Sequence, residues 1–193
     1  MAIPKDYLTY LTAEMAQQLD KSGKAKVHDR ALVAGKIQQV FLDDSSKEDQ
    51  LNQEVREYLE KYNEQIRRDG ISYQEMHQLV KKELMKKYKM APPGRRDKDG
   101  GKISRDKMVD FSHRIIKELS TIPRQFELLG DKNEVRLEIF RELQALVKEE
   151  SAIDQAARKK ILSQKKEITE GADEWDILFR KYYSEELRKL GVS

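Results

Sequence analysis

Cysteine is absent from the 193 residues. Its absence excludes disulfides, thiol nucleophiles and thiolate metal sites, and accords with a reducing compartment. Proline occurs four times, glycine nine times and tryptophan once, which is too little for a collagen-like or low-complexity chain. No apolar run approaches the ~18–20 residues of a membrane span. Near the start, Asp6, Glu14 and Gln17 interrupt the apolar residues, so no signal-peptide core forms. Net charge is small as well. Against 38 Lys and Arg stand 35 Asp and Glu, leaving +3, less than a protein built to seek polyanions ordinarily carries. The expectation is a cytoplasmic protein with no membrane segment.

Charge of both signs is what the chain has in excess. Charged residues make up 38% and apolar ones 38%, against about 25% and roughly 45–50% (the latter including Gly) in ordinary globular chains. Such a balance suits slender helical bundles with much solvated surface. Alternating runs of β-branched residues are lacking, so strands are not expected.

The chain echoes itself. Ile3-Pro4-Lys5-Asp6 returns as Ile103-Ser104-Arg105-Asp106, and at that offset Leu8, Leu11, Met15 and Leu19 fall on Met108, Phe111, Ile115 and Leu119. Beyond the first helix the offset lengthens by two. Val33, Ile37, Phe41, Leu51 and Leu59 then fall on Val135, Ile139, Leu143, Ile153 and Ile161, and Tyr73, Met76 and Val80 on Trp175, Leu178 and Tyr182. Between the halves, paired Pro92-Pro93 and Gly100-Gly101 make the strongest break in the chain. The fold expected is all-α: unit 1–90, a Pro/Gly-rich basic linker 91–102 and unit 103–193, each unit a bundle of about four helices, arranged as a dumbbell or side by side.

In the first unit apolar spacing places helices over roughly 4–19, 29–43, 47–65 and from Ser72 onward. Ser46-Lys47-Glu48-Asp49 reads as a capping-box variant and Ser72-Tyr73-Gln74-Glu75 as a full box. The second unit repeats the pattern from Ser104, Asp131, Ser151 and about Ala172. Pairs such as Glu57–Lys61 and Glu185–Lys189 account for part of the surface charge, at a few tenths of a kcal/mol each.

Several runs are shared with a known family. They are Asp43-Asp44-Ser45-Ser46-Lys47-Glu48-Asp49-Gln50-Leu51-Asn52-Gln53-Glu54-Val55-Arg56-Glu57, Tyr73-Gln74-Glu75-Met76 with Lys81-Lys82-Glu83-Leu84, and Asn133-Glu134-Val135-Arg136-Leu137-Glu138-Ile139. The closing run Glu174-Trp175-Asp176-Ile177-Leu178-Phe179-Arg180-Lys181-Tyr182-Tyr183, continued by Glu185-Glu186-Leu187-Arg188-Lys189-Leu190-Gly191, is the most specific. Through these residues the sequence resembles the bacterial "domain of unknown function 507" family, read as two tandem copies. Ser45-Ser46 departs from the more hydrophobic stretch usual there. The resemblance implies a soluble bacterial all-helical protein and brings no activity, cofactor or catalytic residue.

Chemistry-bearing patterns are sparse. His28, His77 and His113 lack metal-ligand spacing, and His77 lies on an apolar helical face, where a packed role is expected. Asp43-Asp44 with Glu48-Asp49, and Glu149-Glu150 with Asp154, read as acids flanking helix N-termini rather than as a cation loop, for the acidic run lacks the EF-hand spacing and its central Gly. Gly100-Gly101-Lys102-Ile103-Ser104 fails as a phosphate loop, because Arg96 stands where its first Gly is needed and Ile103 where the Mg-binding hydroxyl is needed. No Ser sits in a nucleophile turn. Neither metal nor cofactor is expected.

Basic residues are the remaining signal. Residues 81–107 hold eleven Lys and Arg against four acids, a local balance of +7. Lys82, Lys86 and Lys89 share a helical face, and Arg95, Arg96 and Lys98 follow. A second patch holds Arg158, Lys159, Lys165 and Lys166. A non-enzymatic module that binds a protein partner is the expected function. The alternative is an RNA- or ribosome-associated protein that meets phosphates through these patches. The aromatic residues Trp175, Phe179 and Tyr182 are spaced as core, not as stacking platforms.

Overall fold

The computed structural model describes residues 3–68, 70, 72–88, 90, 103–164 and 168–191, with the side chains of 65–67 left aside. The first half runs α1 (Lys5–Lys21), β1 (Ala25–Val27), α2 (Arg30–Lys61), α3 (Asn63–Arg68) and α4 (Tyr73–Lys87). The second runs α5 (Arg105–Leu119), β2 (Phe126–Leu128), α6 (Lys132–Leu162) and α7 (Asp173–Lys189). The expected break 91–102 lies outside the described residues.

The helices start where local chemistry allows. Asp29 caps α2 by accepting from the Leu32 N–H at 2.9 Å. Ser104 caps α5 and Asp131 caps α6. Ser72 and Glu75 close the full capping box of α4, satisfying two orphan N–H groups reciprocally. Gly23, at φ +69°, takes the left-handed turn after α1 that side chains resist. The Asp20 carboxylate then ties the corner, accepting from the Val27 N–H and from Arg30, each at 3.0 Å. Those bonds hold it below its ordinary pKa, the Val27 N–H first.

Two expectations are corrected. Strands do form: β1 and β2 pair antiparallel, with Lys26 opposite Glu127. At three residues each they are too short to show a period. The helices expected to meet near residue 46 are one continuous helix, α2, and those expected to meet near Ser151 are likewise one, α6. Each half therefore has three long helices (α3 adds a short turn in the first), not four. The polar runs 43–49 and 149–154 are helix interior. Asp and Ser disfavour a helix by only about 0.5 kcal/mol each, and buried residues grip α2 on both sides of its run: Val33, Ile37, Val40 and Phe41 before it, Leu51, Val55 and Leu59 after it.

The halves share one core, which excludes a dumbbell. The α1–α2 and α5–α6 pairs pack within halves, while α1–α6 and α2–α5 pack across them. One apolar cluster accordingly holds Tyr7, Leu11, Met15, Val33, Ile37 and Phe41 together with Phe111, Ile115, Phe126, Val135, Ile139 and Leu143. Phe41 and Phe111 meet across the join with ring centroids 4.5 Å apart. A chain cut at a protease site engineered into 91–102 should stay one particle. Gel filtration of the cut chain is expected to give co-eluting fragments, and separate elution of two folded halves would contradict the shared core.

Candidate functional site

Both long helices carry polar side chains at inward positions. On α6 the inward row, at spacings of four and three, is Leu143, Val147, Glu150, Asp154, Ala157 and Ile161, and all six are buried. The corresponding row on α2 is Phe41, Ser45, Glu48, Asn52, Val55 and Leu59. The sequence reading missed Glu150 and Asp154 because acids near an assumed helix start look solvated. The row itself was the available signal, since it places both acids between apolar neighbours of one stripe.

A buried carboxylate is costly unless donors reach it, and the crossing helices supply them. In the second half the Tyr7 hydroxyl donates to the Leu146 carbonyl at 2.6 Å and lies 2.9 Å from Glu149 Oε2. The Tyr183 hydroxyl donates to Glu150 at 3.1 Å. Burial first, and then the adjacent carboxylates, push both hydroxyls well above the ordinary phenol value. Lysines do this work in the first half. Lys107 pairs with Asp44 at 2.7 Å and Glu48 at 3.7 Å, and Lys81 donates to Asn52 at 2.9 Å. Arg114 adds bonds to Asp44 at 3.1 Å and to the Val40 carbonyl at 3.0 Å. Lys107 and Lys81 stand where Tyr7 and Tyr183 stand in the other half.

The basic candidates divide sharply. Lys82 and Lys86 are exposed on the outward face of α4, and among the described residues only Lys86 of the two forms an ion pair, with Glu83 at 2.7 Å. Leu79 lies on the same face, 55% exposed. Arg158 is spent on structure. It pairs with Asp154 at 2.7 Å and with Glu170, and lies over the Phe179 ring. Lys160 beside it binds Glu185 and Glu186, while Lys159 is exposed. The structure brings Lys82 and Lys86 together and sets Arg158 and Lys159 on a separate helix. Lys89, Arg95, Arg96, Lys98, Lys165 and Lys166 lie outside the described residues.

Among the described residues no three His, Cys, Asp or Glu are placed to hold a metal ion, and no helix is long and apolar enough to cross a membrane. A cleft of about 230 Å³ between α2 and the end of α4 is lined by Lys47, Gln50, Leu51, Glu54, Tyr88 and Met90. Its Tyr88 hydroxyl donates to Glu54 at 2.8 Å, a bond that ties the end of α4 to α2. His77 is partly buried, with its ring 6.5 Å from that of Tyr73. His28 is exposed, 3.3 Å from Glu127.

The tyrosine contacts set an alkaline limit. Below the ordinary phenol value of about 10, Tyr7 and Tyr183 are neutral in both folded and unfolded chains. Above it the unfolded chain releases their protons while the folded chain keeps them, so stability falls as pH rises. Melting temperature measured from pH 8 to 11 should fall less steeply for Tyr7→Phe and Tyr183→Phe than for the parent chain. Each variant should also lose about 1–3 kcal/mol at pH 7 through the abandoned acceptors. Parallel pH profiles for parent and variants would refute this account.

No curated protein matches the chain. A single family model runs from residue 1 to residue 192, so the two halves are not tandem copies of that family but parts of one member. The chain belongs to the family described as protein of unknown function (DUF507).

Proposed function

We propose that this protein is a non-enzymatic protein-interaction module of the bacterial cytoplasm, built by internal duplication, whose contact element is α4. One observation carries the reading. Helix α4 buries none of its residues and turns Leu79, Lys82 and Lys86 outward as one row. An apolar anchor flanked by cations is the composition of a contact surface that meets an acidic rim. The other ionisable clusters serve the fold. The duplication is supported by the order helix–strand–long helix–helix, which recurs in both halves. It is also supported by buried pairs at matching positions, such as Leu11 with Phe111 and Ile37 with Ile139.

The second reading is binding to RNA or the ribosome. It is favoured by the +7 balance of residues 81–107 and by the exposure of Lys82 and Lys86. It is weakened at the second patch, where Arg158 and its neighbour Lys160 are already neutralised by carboxylates.

The test compares the tagged full chain with the triple variant Leu79→Asp, Lys82→Glu, Lys86→Glu, each cross-linked in native lysate with and without RNase. The protein reading expects partners that survive RNase and drop at least tenfold, worth about 1.4 kcal/mol, with the variant. Partners stripped by RNase assign the second reading. An identical set captured by parent and variant sinks both.

A further inference from the structure

The two halves use their last helices differently. Helix α7 sends Trp175, Tyr183 and Leu187 to buried positions, and Tyr183 and Leu187 belong to the main core. The matching positions on α4 are Tyr73, which is 55% exposed, Lys81 and Met85. What α4 covers is a separate apolar island: Val55 and Leu59 of α2, with partly buried Tyr62, Met76, Val80 and Leu84. Two side-chain bonds add to the hold, Lys81 to Asn52 at 2.9 Å and Tyr88 to Glu54 at 2.8 Å.

The physical cause is one residue type. Tyr183 is neutral and can be sealed under neighbouring side chains while it donates to Glu150. A lysine at the matching place keeps its charge and must hold its ammonium near water. Lys81 is accordingly only partly buried, and α4 rests on its island without continuing into the main core.

We infer that α4 is a strap that opens as a unit from the distal third of α2, while α1, α2, α5, α6 and α7 stay folded. Local opening is carried by elements with few buried contacts, and among the long helices α4 is the one with no fully buried residue. Opening uncovers Val55, Leu59 and Tyr62, an apolar row at helical spacing that is covered in the closed state. The strap stands independently of the proposed function, because it concerns the inward face of α4 and not the outward row.

Hydrogen exchange of the full chain, followed by mass spectrometry in native buffer, tests this directly. Peptides from α4 are expected to exchange at least about 100-fold faster than those from α7. Leu84→Ala should speed exchange of α4 by about a further tenfold and leave peptides of α5, α6 and α7 unchanged. Val80→Ala serves as a second variant should the first fail to fold. Equal protection of α4 and α7 in the parent chain overturns the strap. So does a variant that speeds exchange in α5 and α6 as much as in α4, because α4 would then open only with the whole molecule.

Discussion

Carboxylates in or beside the inward rows of two long helices constrain everything around them. An apolar contact slides at little cost, whereas a buried charge that loses its donor costs several kcal/mol. Glu150, 1% exposed, and Asp44, its side chain 14% exposed, cannot be abandoned by the helices that cross them. Tyr183 on α7, bonded to Glu150, and Lys107 on α5, paired with Asp44, fix where those helices sit along α6 and α2, and Tyr7 on α1 adds its bonds to Glu149 and the Leu146 carbonyl. A slip of one turn, about 5.4 Å, would carry the Tyr7 hydroxyl away from both its acceptors. The apolar core supplies most of the driving force for folding, and the polar layer makes one alignment of the halves far better than its neighbours.

Filling that layer with tyrosine in one half and lysine in the other separates the roles of two otherwise matching halves. Tyrosine tolerates complete burial, so the α1–α6–α7 side closes: Tyr7 is fully buried and Tyr183 is 5% exposed. Lysine does not, so the α5–α2–α4 side stays partly wet, with the Lys107 side chain 22% exposed. At the start of the same two helices Trp175 is buried on α7 while Tyr73 of α4 is 55% exposed. Helix α7 therefore contributes Trp175, Tyr183 and Leu187 to buried positions, whereas α4 has no fully buried residue.

Much of this was legible in the residues. The apolar period gave the helical class, and the offset between halves paired the buried positions correctly from Leu8 with Met108 to Leu59 with Ile161. Ser72, Ser104 and Asp131 marked true helix starts. Asp43-Asp44-Ser45-Ser46 and Glu149-Glu150-Ser151 misled, because the local chemistry of a cap is the same chemistry that satisfies a crossing helix. Only tertiary contact tells the two apart, and here Lys107 and Tyr7 are that contact. The strands at Ala25 and Phe126 were hidden by their length. As for the basic residues, sequence shows their number but not their employment. Arg158 and Lys160 look as available as Lys82 until Asp154, Glu170, Glu185 and Glu186 are seen around them.

That distinction decides where function is to be sought. A cation bound at 2.7–3.0 Å to carboxylates of its own chain, as Arg158 and Lys160 are, must break those bonds before it can meet a partner. Its net gain on binding is small, because it exchanges one carboxylate or phosphate for another. Lys82 has no such bond to surrender among the described residues, and Leu79 beside it gains by leaving water. Among the described residues, the outer face of α4 carries groups that the fold has left largely unused, Leu79 at 55% exposure and Lys82 beside it.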